Sequence, residues 1–82
     1  IIFIESQKEY VRIICENSEV KTKLGISKVE ELFSGGVFLR VHRSFIISIS
    51  KVTSYTKNQI VVNNHVIPIG KFYQKEVLEK LC

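Results

Sequence analysis

His42 and Ser44 stand two positions apart in the stretch FLRVHRSFII, between and beside Arg40 and Arg43. On a regular strand that spacing puts an imidazole and a hydroxyl on one face, the minimum for a base and a nucleophile. The rest of a hydrolytic site is missing. The chain contains no aspartate, and no glutamate lies near this stretch in sequence to orient the ring. His65 is 23 positions away, no serine sits in a Gly-x-Ser-x-Gly elbow, and no glycine-rich phosphate loop occurs. Catalysis is therefore not expected. Cys15 and Cys82 match no metal motif and are too few for a disulfide framework, so they are read as a buried thiol and a frayed terminal one. No metal or other cofactor is expected.

The cations offer a different chemistry. All eight acids fall in Glu5 to Glu31 and Glu76 to Glu79, so Leu32 to Lys75 carries six lysines and arginines and no acid. The net charge is +4 on 82 residues. A solvated face usually mixes both signs, whereas half a chain without acids predicts one positive surface facing a polyanion. Arginine grips guanine or phosphate with two prongs, and Arg40 and Arg43 lie where the apolar run is interrupted. Lys71 and Lys75 follow Gly70 at the predicted start of a helix, where free N–H groups and the positive dipole end would reinforce a phosphate clamp. His42 has two readings left open, a half-buried ring bonding the backbone or a contact to the partner. Tyr10 is likewise divided between core packing and a groove contact.

The elements that must position these residues are mostly strands. Apolar or β-branched runs at Ile1–Ile4, Tyr10–Cys15, Val20–Leu24, Phe38–Val41, Phe45–Ile49, Lys51–Thr56, Ile60–Asn63 and His65–Ile69 are separated by polar or Gly/Asn breaks. The first three predict a meander. Asn63-Asn64 predicts a tight hairpin turn, because asparagine tolerates positive φ. Pro68 belongs on an edge or at a strand end. Ser27-Lys-Val-Glu matches a capping box opening a short helix with Val29, Leu32 and Phe33 on its apolar stripe, stopped by Gly35-Gly36. A last helix after Gly70 aligns Tyr73, Val77, Leu78 and Leu81.

Length allows one small domain over residues 1–82. No window approaches the roughly 20 apolar residues of a membrane span, and no signal peptide is recognisable, so no membrane partner is expected and the domain reads as cytoplasmic. Ile1 opens directly into a strand without an initiator methionine, which suggests a C-terminal piece of a longer protein.

FLRVHRSFIISI, preceded by KVEELF and followed by IPIGKFYQKEVLEKL, resembles the LytTR domain, the DNA-binding output module of a class of bacterial response regulators. IIFIESQKEYVRII resembles that family's first hairpin. The resemblance implies a mainly β fold, an elongated β-sandwich of about ten short strands with two short helices. Its loops, rather than a recognition helix, would enter successive major grooves of double-stranded DNA. Arg43 would take the central base-contacting position, with His42 and Ser44 beside it. Lys71 stands where the family commonly has arginine and, as a point charge, would hold phosphate, with Lys75 nearby. Gln7, Lys8 and Tyr10 in the first-hairpin loop would supply a third contact region. Two copies would occupy direct repeats about one helical turn apart, under control of an upstream receiver or sensory domain. A rival reading from another class is a small β-barrel interaction module whose basic face binds an acidic protein or peptide. RNA binding lacks a motif of exposed stacking aromatics.

Overall fold

Short β-branched runs bounded by asparagine, glycine and serine fold into strands wherever the sequence places them. The computed structural model describes residues 1–33 and 35–81. Among these, eight strands form: β1 (Phe3–Ser6), β2 (Val11–Ile14), β3 (Glu19–Thr22), β4 (Phe38–His42), β5 (Phe45–Ser48), β6 (Val52–Tyr55), β7 (Gln59–Val62) and β8 (His65–Pro68). Eight is the number of runs read from the residues themselves. The figure of about ten, which came from the family resemblance, is corrected.

Five strands pair in the order β3-β2-β1-β5-β4 and three in the order β6-β7-β8, all antiparallel. β1 to β3 are the expected meander. Asn63 (φ 47°) and Asn64 (φ 73°) close the β7–β8 hairpin with the two positive φ values that a two-residue turn of this hand requires. Pro68 ends β8, an edge strand of the smaller sheet.

Alternation along β1 and β5 sends neighbouring residues to opposite faces, and both faces of the larger sheet are covered. Phe3 and Ile47 join Leu39, Val41, Ile60, Val62 and Val77 in the main core, between the two sheets and helix α2 (Gln74–Leu81). Ile4 and Ile46 face the other way, into a smaller cluster with Val11 and Val29 under helix α1 (Ile26–Leu32). Tyr73, Val77 and Leu81 all pack in the main core, as their spacing predicts, and Leu78 is half-buried. The overall extents are 32 × 26 × 23 Å, mildly longer in one direction.

Two expectations about helix ends are corrected. The capping box is not formed: α1 begins two residues earlier, with Gly25 rather than Ser27 at the N-cap and no side-chain cap. Starting there lets Val29, with Ile26 and Phe33 half-buried beside it, line the face that packs on the smaller cluster, an apolar gain that offsets the loss of a cap worth about 1 kcal/mol. Leu32, expected on that stripe, is exposed. Gly35 (φ 132°) and Gly36 (φ 88°) do adopt the positive φ that suits glycine. At the last helix, Lys71–Tyr73 forms a single 3₁₀ turn and the α-helix starts only at Gln74. Cys15 is a half-buried free thiol, and Cys82 lies outside the described residues.

Candidate nucleic-acid interface

The interruption at His42-Arg43-Ser44 is a tight hairpin. His42 pairs with Phe45, so Arg43 and Ser44 alone make the turn between β4 and β5, after an irregularity in register between Arg40 and His42. Ser44 holds the turn by its backbone. Its N–H donates to His42 Nδ1 at 3.1 Å, and its carbonyl accepts from Ser6 N at 2.8 Å. The first bond leaves the His42 proton on Nε2 and turns the ring edge-on to Phe45, 5.5 Å between centroids. The imidazole therefore bonds the Ser44 backbone rather than its hydroxyl, so these two side chains are not joined as a base and a nucleophile. The half-buried reading of His42 describes its Nδ1 side.

Arg40 also departs from its expected role. Its Nη1 pairs with Glu30 of α1 at 2.7 Å, its Nε donates to the His42 carbonyl at 2.8 Å, and its Nη2 to the Arg43 carbonyl at 2.6 Å. Its side chain is only 14% exposed. Each of the three guanidinium nitrogens bonds the protein, so Arg40 braces the hairpin from within. Lys51 is likewise neutralised, by Glu16 in the β2–β3 turn. The acid-free segment is thus partly balanced by acids folded in from elsewhere. Of its six cations, Arg43, Lys57, Lys71 and Lys75 make no ion pair among the described residues.

Those four are gathered by backbone hydrogen bonds between their segments. Gly70 N donates to the Val41 carbonyl at 2.8 Å, which seats the 3₁₀ turn carrying Lys71 against the end of β4. The fit is close: a Cβ at Gly70 would stand 3.0 Å from Tyr73 Cδ2 and 3.5 Å from His42 Cα. Ile69 N donates to the Asn58 carbonyl at 2.9 Å, and Gln74 Nε2 to Asn58 Oδ1 at 3.3 Å, so the Lys57-Asn58 turn adjoins the start of α2. Lys75, one helical turn beyond Lys71, is exposed. Glu76 also lies in the first turn of α2, so the positive charge there comes from the lysines more than from the helix end.

The first-hairpin loop lies at the same end of the larger sheet. Ser6, the last residue of β1, bonds Ser44 directly, and Gln7 N closes the loop onto the Tyr10 carbonyl at 2.8 Å. Lys8 is exposed, while Gln7 and Tyr10 are half-buried. The Tyr10 ring belongs to neither core cluster and lies under Lys21 Nζ, 5.2 Å from its centroid. Gln7, Lys8, Tyr10, His42, Arg43, Ser44, Lys71 and Lys75 thus lie on segments joined at one end of the larger sheet, whereas Arg40, also singled out in the sequence, is turned inward.

Two further neighbours, Lys21 and Phe72, were not singled out in the sequence, and Lys57 counted there only as one cation of the acid-free segment. Lys21 reaches the first loop through the β2–β3 pairing, Lys57 arrives through the smaller sheet, and Phe72 projects from the turn beside Lys71 with 96% of its surface exposed. Strand pairing could have placed Lys21. Nothing in the local pattern distinguishes Phe72 from a core aromatic.

The model of the LytTr DNA-binding domain family matches this chain over residues 1–82. The chain belongs to the LytTR family. Among solved structures, its fold is similar to the LytTr DNA-binding domain of a Bacillus cereus protein assigned as a methyl-accepting/DNA response regulator. The TM-score is 0.86 at 20% identity, covering 99% of this chain and 80% of that one. No curated relative matches. In this LytTR domain no described helix is long and apolar enough to cross a membrane, and no three His, Cys, Asp or Glu side chains cluster among the described residues.

Proposed function

We propose that this LytTR domain binds double-stranded DNA sequence-specifically as the output module of a bacterial transcriptional regulator. Three segments would enter the grooves: the Arg43-Ser44 turn, the Gly70–Lys75 segment and the Gln7–Tyr10 loop. The observation that carries this reading is their convergence at one end of the larger sheet, with Arg43, Lys71, Lys75 and Lys8 exposed and without an acid partner there. Arg43 reads a base edge from the tip of a braced hairpin, and Lys71 and Lys75 hold phosphates. His42 offers Nε2 and Ser44 its hydroxyl as secondary contacts. Two copies occupy direct repeats about one helical turn apart in the cytoplasm, and an upstream receiver or sensory domain in a longer chain governs access.

The test is selection of duplexes from a random pool, followed by titration of the selected site and of scrambled competitors at several salt concentrations. One recurrent motif, bound with an affinity that falls steeply with salt, is the expected result, because each neutralised phosphate releases about 0.9 of a counterion. Indifference to duplex sequence, with tight binding of an acidic protein, would select the interaction-module reading instead.

A further inference from the structure

Phe72 is exposed over 96% of its surface, while Phe3 is buried and Phe33, Phe38 and Phe45 pack against the cores. It is held there rigidly. Gly70 is bonded to Val41, Tyr73 N donates to the Gly70 carbonyl at 2.9 Å, and the Tyr73 side chain packs in the main core. Between these two anchors the one-turn 3₁₀ segment fixes Lys71 and Phe72 outward. Displaying an aromatic ring in water on a fixed scaffold costs hydration and gains no packing within the described fold.

Its setting narrows what could cover it. Phe72 follows Lys71 in the 3₁₀ turn and precedes Lys75 by three positions, and Gly70 at the head of that turn bonds Val41 near the end of the strand that leads into the Arg43 turn. A single ring cannot supply the successive stacking steps a single strand needs. On the floor of a duplex groove the apolar group available at a base edge is the thymine 5-methyl, exposed only on the major-groove side. Charges that hold the phosphates would bring a ring on the same rigid turn to that depth.

Resting on the DNA-binding reading above, we propose that Phe72 is a specificity-determining residue that packs on a thymine methyl group in the major groove. Lys71 beside it grips the backbone without reading sequence, so the 3₁₀ turn combines a phosphate anchor with an apolar base reader.

The test uses the duplex selected by the unaltered chain, with each thymine replaced in turn by deoxyuridine, which removes the methyl and leaves pairing intact. At one position per half-site the replacement should weaken binding by about fourfold, the worth of one buried methyl. Phe72→Ala should bind the thymine duplex about tenfold more weakly and be indifferent to that replacement. Its melting temperature should stay the same or rise slightly, since no packing is lost. Equal loss on thymine and deoxyuridine duplexes would make Phe72 a non-reading wedge and overturn the proposal. Unchanged DNA affinity in Phe72→Ala would also overturn it and assign the ring to a protein partner. If the unaltered chain itself fails to prefer any duplex, the DNA-binding reading falls first, an outcome distinct from both.

Discussion

Three positions separate Arg40 from Arg43, and the fold gives the two guanidiniums different surroundings. Arg40 meets Glu30 and two carbonyls of the turn it braces, while Arg43 stands exposed at the tip. Residue types alone do not separate them. Glu30 is ten positions from Arg40 in sequence and arrives only because α1 folds over the sheet, so the acid that neutralises Arg40 is invisible to a reading along the chain. What was legible for Arg43 and Lys71 is their placement in turns, because glycine, serine and charge interrupt the apolar runs there. Their chemistry predicts different failures. Arg43→Ala should cost about 1–3 kcal/mol on the selected site and flatten discrimination at one base pair of each half-site, because only a planar fork matches guanine. Lys71→Ala should weaken all duplexes alike and lower the salt slope by about one unit. Titration of both variants against the site and its single-base variants, at several salt concentrations, separates them. Uniform loss in Arg43→Ala would make it a phosphate contact and move base reading to the Gln7–Tyr10 loop.

At the scale of elements, strand existence was readable and strand ends were not. The run Ile1–Ile4 becomes Phe3–Ser6 because pairing with β2 and β5 extends toward Ser6, whose N–H reaches Ser44. α1 shifts off its capping box to half-bury Ile26, a tertiary gain that no local motif records. The meander carries a further device across its three strands. Arg12 of β2 donates to Glu5 of β1 at 2.7 Å and grips Glu19 of β3 with two bonds of 2.9 and 3.1 Å. The hydrogen bond from Arg12 holds the Glu19 carboxyl below the usual range, and Lys51 does the same for Glu16 at the next turn. Carboxyls depressed in the folded state stabilise it above their ordinary range, and that contribution disappears as pH falls through the folded values. Melting temperature should therefore drop on acidification below the ordinary carboxylate range, and Glu19→Gln should flatten part of that drop. Thermal melts of both proteins between neutral and strongly acidic pH check this. A Glu19→Gln curve parallel to that of the parent would mean the Arg12 clamp adds nothing to stability.

For the molecule as a whole, the distribution of charge decides more than its sum. The net +4 suggested a polyanion partner, but Lys51 contributes to that total while paired with Glu16 beyond the far ends of β2 and β5, away from the Arg43 turn. The molecule is 32 Å long and the screening length at physiological salt is about 8 Å, so a charge at the far end is largely hidden from DNA docked at the other. Lys57, read from sequence only as one cation of the acid-free segment, adjoins the start of α2 through Asn58 and has no ion pair among the described residues. Lys51→Gln and Lys57→Gln remove the same formal charge and should behave differently. Lys57→Gln should weaken the selected duplex by about fivefold and reduce the salt slope by about one unit, the signature of one lost phosphate contact. Lys51→Gln should leave affinity within about twofold at physiological salt, and any loss should appear only at low salt where the screening length grows. Matched titrations at low and physiological salt decide between location and net charge. Equal losses in the two variants would mean that DNA senses the domain's total charge, and the interface would then have to extend beyond the end built by Arg43, Lys71 and the first-hairpin loop.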